Sequence, residues 1–226
     1  MRSVVWMLCI AVMCSGAESE LDKARDRQDR PAMEKVVAEL QSAAAKSPAN
    51  ADAQYRVALA SSYLAEVALE MRDKKQAQQA AETGIQAADR AIALKPNVAE
   101  YYRVLATLCG QVIPANVFAG MGYGKRAKEA IAKALELDPK SSRAYIAQGV
   151  GNYYMPAAFG GGADPAIRDF KKAIELDPKS AEAYMWLGIT LRKAHRNPEA
   201  REAFKKSIEL NPNRIWAKQQ LEKTPA

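Results

Sequence analysis

The residues that most often carry out chemistry in proteins are few in this sequence, and their spacing forms no recognised site. The single histidine, His195, precedes Asn197-Pro198, a pair typical of a helix start, so we expect it in an exposed turn. Cys9 and Cys14 lie within the first 17 residues, which leaves Cys109 alone in the rest of the chain. Cys109 has the position of an inward-facing apolar residue, where a thiol acts as a small hydrophobe. The sequence therefore predicts no catalytic residue and no metal site.

Two glycine-rich stretches and the many carboxylates are the remaining candidates for chemistry. The stretches, GMGYGK at 120–125 and GGG at 160–162, lack the spacing of a phosphate-binding loop and follow no predicted strand. We interpret them as glycines that tight connections need. The carboxylates each have a lysine or arginine nearby at helix-surface spacing, and no pair stands out as an acid and a base. The sequence therefore predicts no cofactor and no enzymatic activity.

Composition and charge favour a folded protein without a nucleic-acid partner. The chain has 226 residues, of which 49% are hydrophobic, so it can bury a core. Its formal net charge of +7 permits attraction to acidic partners. The basic residues are nevertheless dispersed among acidic ones and form no long run. Doublets such as Lys171-Lys172 and Lys205-Lys206 recur at one place in a repeat, which is typical of a solvated helix face and not of a nucleic-acid site.

The N-terminus has the pattern of a signal peptide. Arg2 supplies positive charge, Val4 to Cys14 form an apolar stretch, and Ser15-Gly16-Ala17 offers small residues for cleavage. The stretch is too short to span a bilayer, which needs roughly 18 or more apolar residues. Lipid attachment at Cys14 is the competing interpretation, and Met13 directly before it disfavours that chemistry. We expect cleavage after Ala17 and a periplasmic or secreted mature chain.

Four segments of the sequence end alike, which indicates an internal repeat. The endings are AIALKP at Pro96, ALELDP at Pro139, AIELDP at Pro178 and SIELNP at Pro212. The last two prolines are 34 residues apart, and the earlier intervals of 43 and 39 residues indicate insertions. Apolar residues recur at helical spacing, and the sequence has no alternation long enough to predict a sheet. The predicted fold class is all-α.

The last repeat has a defined order of residue types. An aromatic residue precedes Leu-Gly, and then come a large residue, an alanine, an aromatic residue, a small residue and a proline: Tyr184, Leu187-Gly188, Leu191, Ala200, Phe204, Ser207 and Pro212. This order resembles the tetratricopeptide repeat family, with mild departures at Leu191 and Ser207, where tyrosine and alanine are usual. Two earlier repeats keep the order less completely, and a degenerate one precedes them. The resemblance implies a right-handed α-solenoid of antiparallel helix pairs with a C-terminal capping helix.

The domain organisation follows from these boundaries. We expect a signal peptide at 1–17, a charged lead segment at 18–30, the solenoid at 31–222 and a short tail at 223–226. The solenoid would contain about four repeats, with insertions at 113–124 and 155–163. Both insertions carry large apolar residues among glycines, so we expect them to touch and either to pack together or to present a partner-binding patch. The side-chain amides of Gln148 and Asn152 are expected to hydrogen-bond the second insertion.

The resemblance implies a binding function, because in this family the first helix of each repeat lines a concave groove. The matching positions, which we expect to contact a partner, are Tyr55, Arg103, Ile146, Tyr153, Met185, Arg192 and Lys193. The partner would be a protein or peptide, and the cations Arg103, Arg192 and Lys193 predict that it has an acidic segment. The alternative is a small-ligand-binding or transport-accessory component of a solute uptake system, which a closed apolar cavity would favour.

The signal-peptide interpretation makes a direct prediction. We expect the mature protein to begin at Glu18, because the small residues before it form the cleavage site. N-terminal sequencing of the protein isolated from its native cells measures this. A mature chain that still begins at Met1 would overturn the prediction of export.

Overall fold

The computed structural model describes residues 20–114 and 120–226, and every regular element in them is helical, which confirms the all-α prediction. In chain order the helices are α1 (residues 20–26), α2 (Arg30–Lys46), α3 (Ala51–Glu70), α4 (Lys74–Leu94), α5 (Ala99–Val112), α6 (Gly120–Leu137), α7 (Ser142–Tyr154), α8 (Ala163–Leu176), α9 (Ala181–Lys193), α10 (Asn197–Leu210) and α11 (Ile215–Glu222). A short 3₁₀ helix, Ala157–Phe159, lies between α7 and α8. None of the described helices is both long and apolar enough to cross a bilayer. The predicted signal peptide lies outside the described residues.

Short polar side chains set where several helices begin. Asn50 accepts hydrogen bonds from two backbone N–H groups at the start of α3. Ser141 and Ser180 each accept one at the starts of α7 and α9. These oxygens satisfy N–H groups that have no partner inside the helix. At the other end, Pro178 follows α8 and cannot continue it, so the repeat-ending prolines mark helix ends as the sequence predicts.

The helices pack as consecutive pairs in the order of the repeats. α3 packs with α4, α5 with α6, α7 with α8, and α9 with α10. In addition, α2 packs against α3 and α11 against α10. The first helices of successive pairs contact one another more closely than the second helices do, so α3, α5, α7 and α9 form the inner, concave layer.

Two glycines let the helices of a repeat approach closely. A Cβ atom at Gly149 would lie 2.6 Å from the nearest ring atom of Phe170, and a Cβ atom at Gly188 would lie 2.7 Å from the ring of Phe204. Both phenylalanines are 0% exposed. Each ring therefore occupies the space that a side chain on the facing helix would need, and glycine fixes the helix spacing in these two repeats.

The buried apolar side chains form two main clusters. The first joins α1 to α6, and the second joins α7 to α11 around Phe170 and Phe204. Cys109 belongs to the first cluster and is 0% exposed, which confirms the expected burial of this thiol. Burial raises the pKa of the Cys109 thiol to about 11. The two halves of the solenoid thus have separate cores, and the chain passes from one to the other between α6 and α7.

The two predicted insertions differ in structure. Residues 120–124 form the first turn of α6 instead of a loop, and residues 115–119 lie outside the described part of the chain. The second insertion contains the 3₁₀ helix and ends with Gly160 and Gly162 at φ 85° and 109°. Glycine adopts these left-handed conformations without strain. The expected contact between the insertions involves residues outside the described ranges and stays a prediction.

The amides on α7 are held differently from what the sequence suggests. The side-chain amide of Asn152 donates to the carboxylate of Asp169 in α8 at 2.6 Å, whereas its backbone carbonyl accepts from the N–H of Gly162 at 2.8 Å. The amide oxygen of Gln148 is buried without a partner among the described residues. The prediction that these side chains bond the insertion was therefore wrong. A carboxylate on the neighbouring helix is a stronger acceptor for the Asn152 amide than a loop carbonyl is.

The close approach of the helix pairs can be tested by substitution. We expect Gly149→Ala and Gly188→Ala each to destabilise the protein by about 1–3 kcal/mol, because the added methyl group must displace a buried ring. Urea unfolding followed by circular dichroism measures the free energy of unfolding. Gly110→Ala is the matched control, since a Cβ atom there meets nothing within 4 Å. It should be neutral or stabilise by up to about 1 kcal/mol through helix propensity. Equal effects at all three positions would contradict this account of packing.

Candidate functional site

The concave side of the solenoid holds the first helix of the chain itself. Leu21 and Ala24 of α1 are 3% and 5% exposed and belong to the first apolar cluster. The guanidinium of Arg25 lies over the ring of Tyr63 in α3, 4.4 Å from its centroid, and 4.0 Å from the carboxylate of Glu182 in α9. Because α3 belongs to the first repeat and α9 to the last, a single arginine of α1 spans the groove between them. Part of the predicted lead segment is therefore a helix that lies across the groove.

Charged residues join the two ends of the solenoid beside α1. The guanidinium of Arg214, in the turn before α11, donates to Glu66 at 2.7 Å and to one oxygen of Glu70 at 3.2 Å, and it also contacts the other oxygen of Glu70. It donates in addition to the backbone carbonyl of Arg25 at 3.2 Å. We name this group the closing cluster and define it as Arg25, Asp26, Glu66, Glu70 and Arg214.

Amide side chains extend the closing cluster. Asn211 donates to Asp26 at 2.8 Å, and Gln28 donates to Glu70 at 2.8 Å. Gln219 of α11 donates to the side-chain oxygen of Gln28 at 3.2 Å. The first and last of these bonds join residues 185 and 191 positions apart, so they close the solenoid end to end.

The closing cluster sets three carboxylates against two guanidiniums in a region with little water. The side chains of Arg214 and Glu70 are 5% and 2% exposed. Burial raises the pKa of Glu70 from 4.5 to about 7; Arg214 opposes this shift, and the neighbouring Glu66 adds to it. Glu70, the carboxylate in excess of the two guanidiniums, is therefore protonated more easily than an exposed glutamate.

The space left beside α1 is small and polar. A cavity of about 40 Å³ is lined by Arg25, Glu66, Ala181, Glu182, Met185, Ser207, Asn211 and Arg214. This volume admits a few water molecules and is far below the roughly 300 Å³ at which small-molecule sites begin. Across residues 20–114 and 120–226, no group of His, Cys, Asp or Glu side chains is arranged to hold a metal ion. The groove is therefore filled largely by α1 and the side chains that contact it.

Tyr55 and Arg103, two of the predicted partner-binding residues, are paired with each other through Glu100. Arg103 donates to the two oxygens of Glu100 at 2.7 and 2.8 Å, and the hydroxyl of Tyr55 donates to Glu100 at 3.1 Å. Burial acts to raise the pKa of Glu100, but Arg103, Arg143 and Tyr55 together hold it below its ordinary value. The charge of Arg103 is therefore neutralised within the chain.

Three more predicted residues have structural contacts. Ile146 and Met185 are 6% and 2% exposed in the second apolar cluster. Arg192 donates to the backbone carbonyl and the side-chain oxygen of Gln220 at 3.0 and 2.6 Å. These bonds hold α11 against α9. Whether the three residues also contact a partner stays a prediction.

Tyr153 and Lys193, the last two predicted residues, lie together at an aromatic edge of the second core. Of the seven predicted partner-binding residues, Lys193 is the exposed one. Its ammonium donates to the backbone carbonyl of Tyr153 at 2.7 Å and lies 4.1 Å from the centroid of the Tyr153 ring. Tyr154 and Trp186 meet the Tyr153 ring edge to face, at centroid distances of 4.9 and 5.9 Å. Tyr154 and Phe159 are 61% and 77% exposed. Exposed aromatic rings beside a cation are typical of protein-binding surfaces.

The closing cluster was not predicted from the sequence. A signal was present, because Glu66 and Glu70 are four positions apart in α3, and the residues from Val57 to Leu69 are otherwise uncharged. Two carboxylates on one face of an apolar helix indicate a buried cation as their partner. The partner could not be found because Arg214 lies 148 and 144 positions away.

The helix pairs, their concave inner layer and the repeat pattern define a tetratricopeptide-repeat protein. The family model for the tetratricopeptide repeat matches residues 170–202, which confirms the resemblance inferred from the sequence. A second model, described as regulator of microtubule dynamics protein 1-3, matches residues 19–156, more than half of the chain. The chain belongs to this family.

Solved structures share the fold at low sequence identity. A thermophilic tetratricopeptide-repeat protein of Thermus thermophilus is 18% identical, with 92% of this chain and 97% of that chain covered and a TM-score of 0.64. The HusA haemophore from Porphyromonas gingivalis is 20% identical, with 78% and 93% covered and a TM-score of 0.62. At this identity the likeness shows the fold alone. No curated protein matches the sequence.

The buried surplus carboxylate predicts an unusual pH dependence. The pKa of Glu70 is about 7 in the folded protein and near 4.5 when unfolded, so the folded state binds more protons between these values. Stability should therefore fall by up to about 3 kcal/mol as the pH rises from about 5 to 7, and it should level off at higher pH, where Glu70 is ionised in both states. Chemical unfolding at a series of pH values measures this.

Two variants identify the group responsible. Glu70→Gln should flatten the dependence between pH 5 and 8, because the amide cannot lose a proton. Glu175→Gln removes a carboxylate from an exposed pair with Lys172 and should keep the slope of the unsubstituted protein. The same slope in both variants would mean that Glu70 is not the group that titrates.

Proposed function

We propose that this protein is an exported, non-catalytic scaffold that binds a protein or peptide in the periplasm or outside the cell. The tetratricopeptide-repeat fold is a protein-interaction scaffold. The observation that carries the proposal is the seating of α1 in the concave groove. There, Leu21 and Ala24 pack on the core while Arg25 contacts Tyr63 and Glu182. A groove that accepts one helical segment in this way has the chemistry to accept another.

A protein partner is better supported than a small ligand. The alternative of solute binding calls for a closed apolar cavity, whereas the cavity in the groove is about 40 Å³ and lined by charged side chains. The description of the family concerns regulation of microtubule dynamics, which supports a protein as the partner. For this chain, the family description supports only the class of partner, which is a protein.

The absence of catalysis and the exported location are supported by separate features. Cys109 is fully buried and its thiol pKa is raised to about 11, which makes it a poor nucleophile. His195 is exposed in a turn at φ 59°. Export is supported by Arg2, the apolar stretch after it and the small residues up to Ala17.

An acidic segment in the partner is the finer part of this proposal. Arg103 is paired with Glu100, and Arg192 is engaged with Gln220, so Lys193 is the predicted cation that remains exposed. Its ammonium lies over the ring of Tyr153, and that ring meets the exposed ring of Tyr154 edge to face. A partner segment that combines an apolar residue with a carboxylate would fit this surface.

Site-specific crosslinking in the native envelope tests the scaffold function. A photo-reactive amino acid at Tyr153 should capture a defined protein, which mass spectrometry identifies, because Tyr153 lies beside the exposed Lys193 and the exposed ring of Tyr154. The same probe at Lys125, an exposed position of α6 whose side chain is 81% accessible, is the matched control and should not capture that protein. Capture of no protein from Tyr153, or of the same set from both positions, would contradict the proposal.

A further inference from the structure

α1 is an amphipathic helix bound in a groove of its own chain. Its two apolar residues, Leu21 and Ala24, are three positions apart and lie on one face, which packs on the first apolar cluster. Lys23, elsewhere on the helix, and Arg27, in the turn after it, are exposed. Arg25 and Asp26 lie between, at the closing cluster. Anchors at this spacing are typical of a helix recognised by a groove.

The groove recognises both the side chains and the backbone of α1. The guanidinium of Arg25 is held between the ring of Tyr63 and the carboxylate of Glu182, which suits a planar cation and not a neutral residue. Arg214 donates to the backbone carbonyl of Arg25 at the end of the helix. Helix carbonyls at that end lack partners inside the helix and favour a cation. These contacts are specific for a helix that carries an arginine near its end.

α1 is held by the apolar contacts of Leu21 and Ala24 and by a set of polar bonds. Polar bonds can be exchanged for bonds to water or to another chain. The turn after α1 contains Gln28 at φ 54°, a left-handed conformation that is unfavourable for a residue other than glycine. The side chain of Gln28 is kept there by Glu70 and Gln219. Release of α1 would relax this turn.

We propose that α1 is a built-in competitor for the groove. A helix of a partner protein that carries a large aliphatic residue, a small residue three positions later and an arginine directly after it displaces α1 and takes its place between Tyr63 and Glu182. This inference rests on the scaffold function proposed above. It adds the class of the partner segment and identifies the part of the chain that excludes it.

The tether sets how strongly α1 competes. A short link gives the attached helix an effective concentration on the order of millimolar. A separate copy of the helix should therefore bind the intact chain weakly, because it must compete with the tethered copy. Substitutions in α1 that leave the groove unchanged remove this competition, and the separate helix then binds with its own affinity.

The experiment uses a fluorescent peptide with the sequence of residues 18–30 and the full-length chain. Fluorescence anisotropy measures the Kd of the peptide for the intact chain and for the double variant Leu21→Ser/Arg25→Ala. We expect the double variant to bind the peptide at least tenfold more tightly. A peptide that carries the same two substitutions should bind neither chain, because it lacks both anchors.

Two further chain variants make the result specific. Lys23→Ala/Arg27→Ala changes one exposed position of α1 and one in the turn that follows it, so α1 should stay seated and the peptide should bind as weakly as to the intact chain. Arg25→Ala alone keeps Leu21 in the core and is the variant to use if the double variant does not fold, as judged by circular dichroism. Hydrogen exchange of residues 20–28 should be faster in both Arg25 variants and unchanged in the exposed-site variant.

The outcomes separate this inference from the scaffold function. Equal peptide affinity for all chain forms, or equal binding of the substituted peptide, would overturn the competitor role. Suppose crosslinking at Tyr153 captures a protein equally well from the intact chain and from the Arg25 variants. The scaffold function would then stand, and the role of α1 would be contradicted. Capture that rises severalfold in the Arg25 variants is the result expected if both proposals hold.

Discussion

Arg214 carries its charge into a region from which water is largely excluded. Its side chain is 5% exposed, and an unpaired cation there would cost several kcal/mol. Glu66 and Glu70, at the far end of the solenoid, supply the oxygens that accept the hydrogen bonds of its guanidinium. Because these bonds must form for Arg214 to be buried, the turn before α11 must meet the first repeat. The position of α1, the shape of the groove and the pKa of Glu70 all depend on that meeting.

The division of the core explains why a polar closure is compatible with a stable fold. Each half of the solenoid has its own apolar cluster, so neither half needs the closing cluster to bury its side chains. Within each half, glycine contacts such as Gly149 with Phe170 set the helix spacing and leave little freedom. Between the halves, where the chain passes from α6 to α7, the helices pack less extensively than they do within a pair. A change in the closing cluster would therefore alter the opening of the groove before it altered either core.

The sequence predicted the parts of the structure that depend on neighbouring residues. The repeat endings, the order around Gly188 and Phe204, and the burial of Cys109 follow from helical spacing within one repeat, and all are present. The prediction was wrong where a side chain had to choose between two nearby acceptors, as Asn152 does when it bonds Asp169. It missed α1 and the closing cluster because their contacts join residues up to 191 positions apart. The sequence repeat indicates contacts within a repeat and between adjacent repeats, but it does not indicate whether the two ends of the solenoid contact each other.

The chemistry of the closure bears on what it does. Pairs of buried charges contribute little net stability compared with apolar packing of the same volume, and their best attested role is to specify one arrangement over others. Apolar side chains in place of Arg214 and its partners in α3 would hold the two ends of the solenoid together with more free energy and less selectivity. A cluster with a surplus carboxylate is closed by a specific geometry and weakens as Glu70 loses its proton. In the role that we propose for α1, it also accepts a competing arginine in place of Arg25. A contact that has to open needs these properties. They suit a groove that α1 occupies until the helix of a partner protein replaces it.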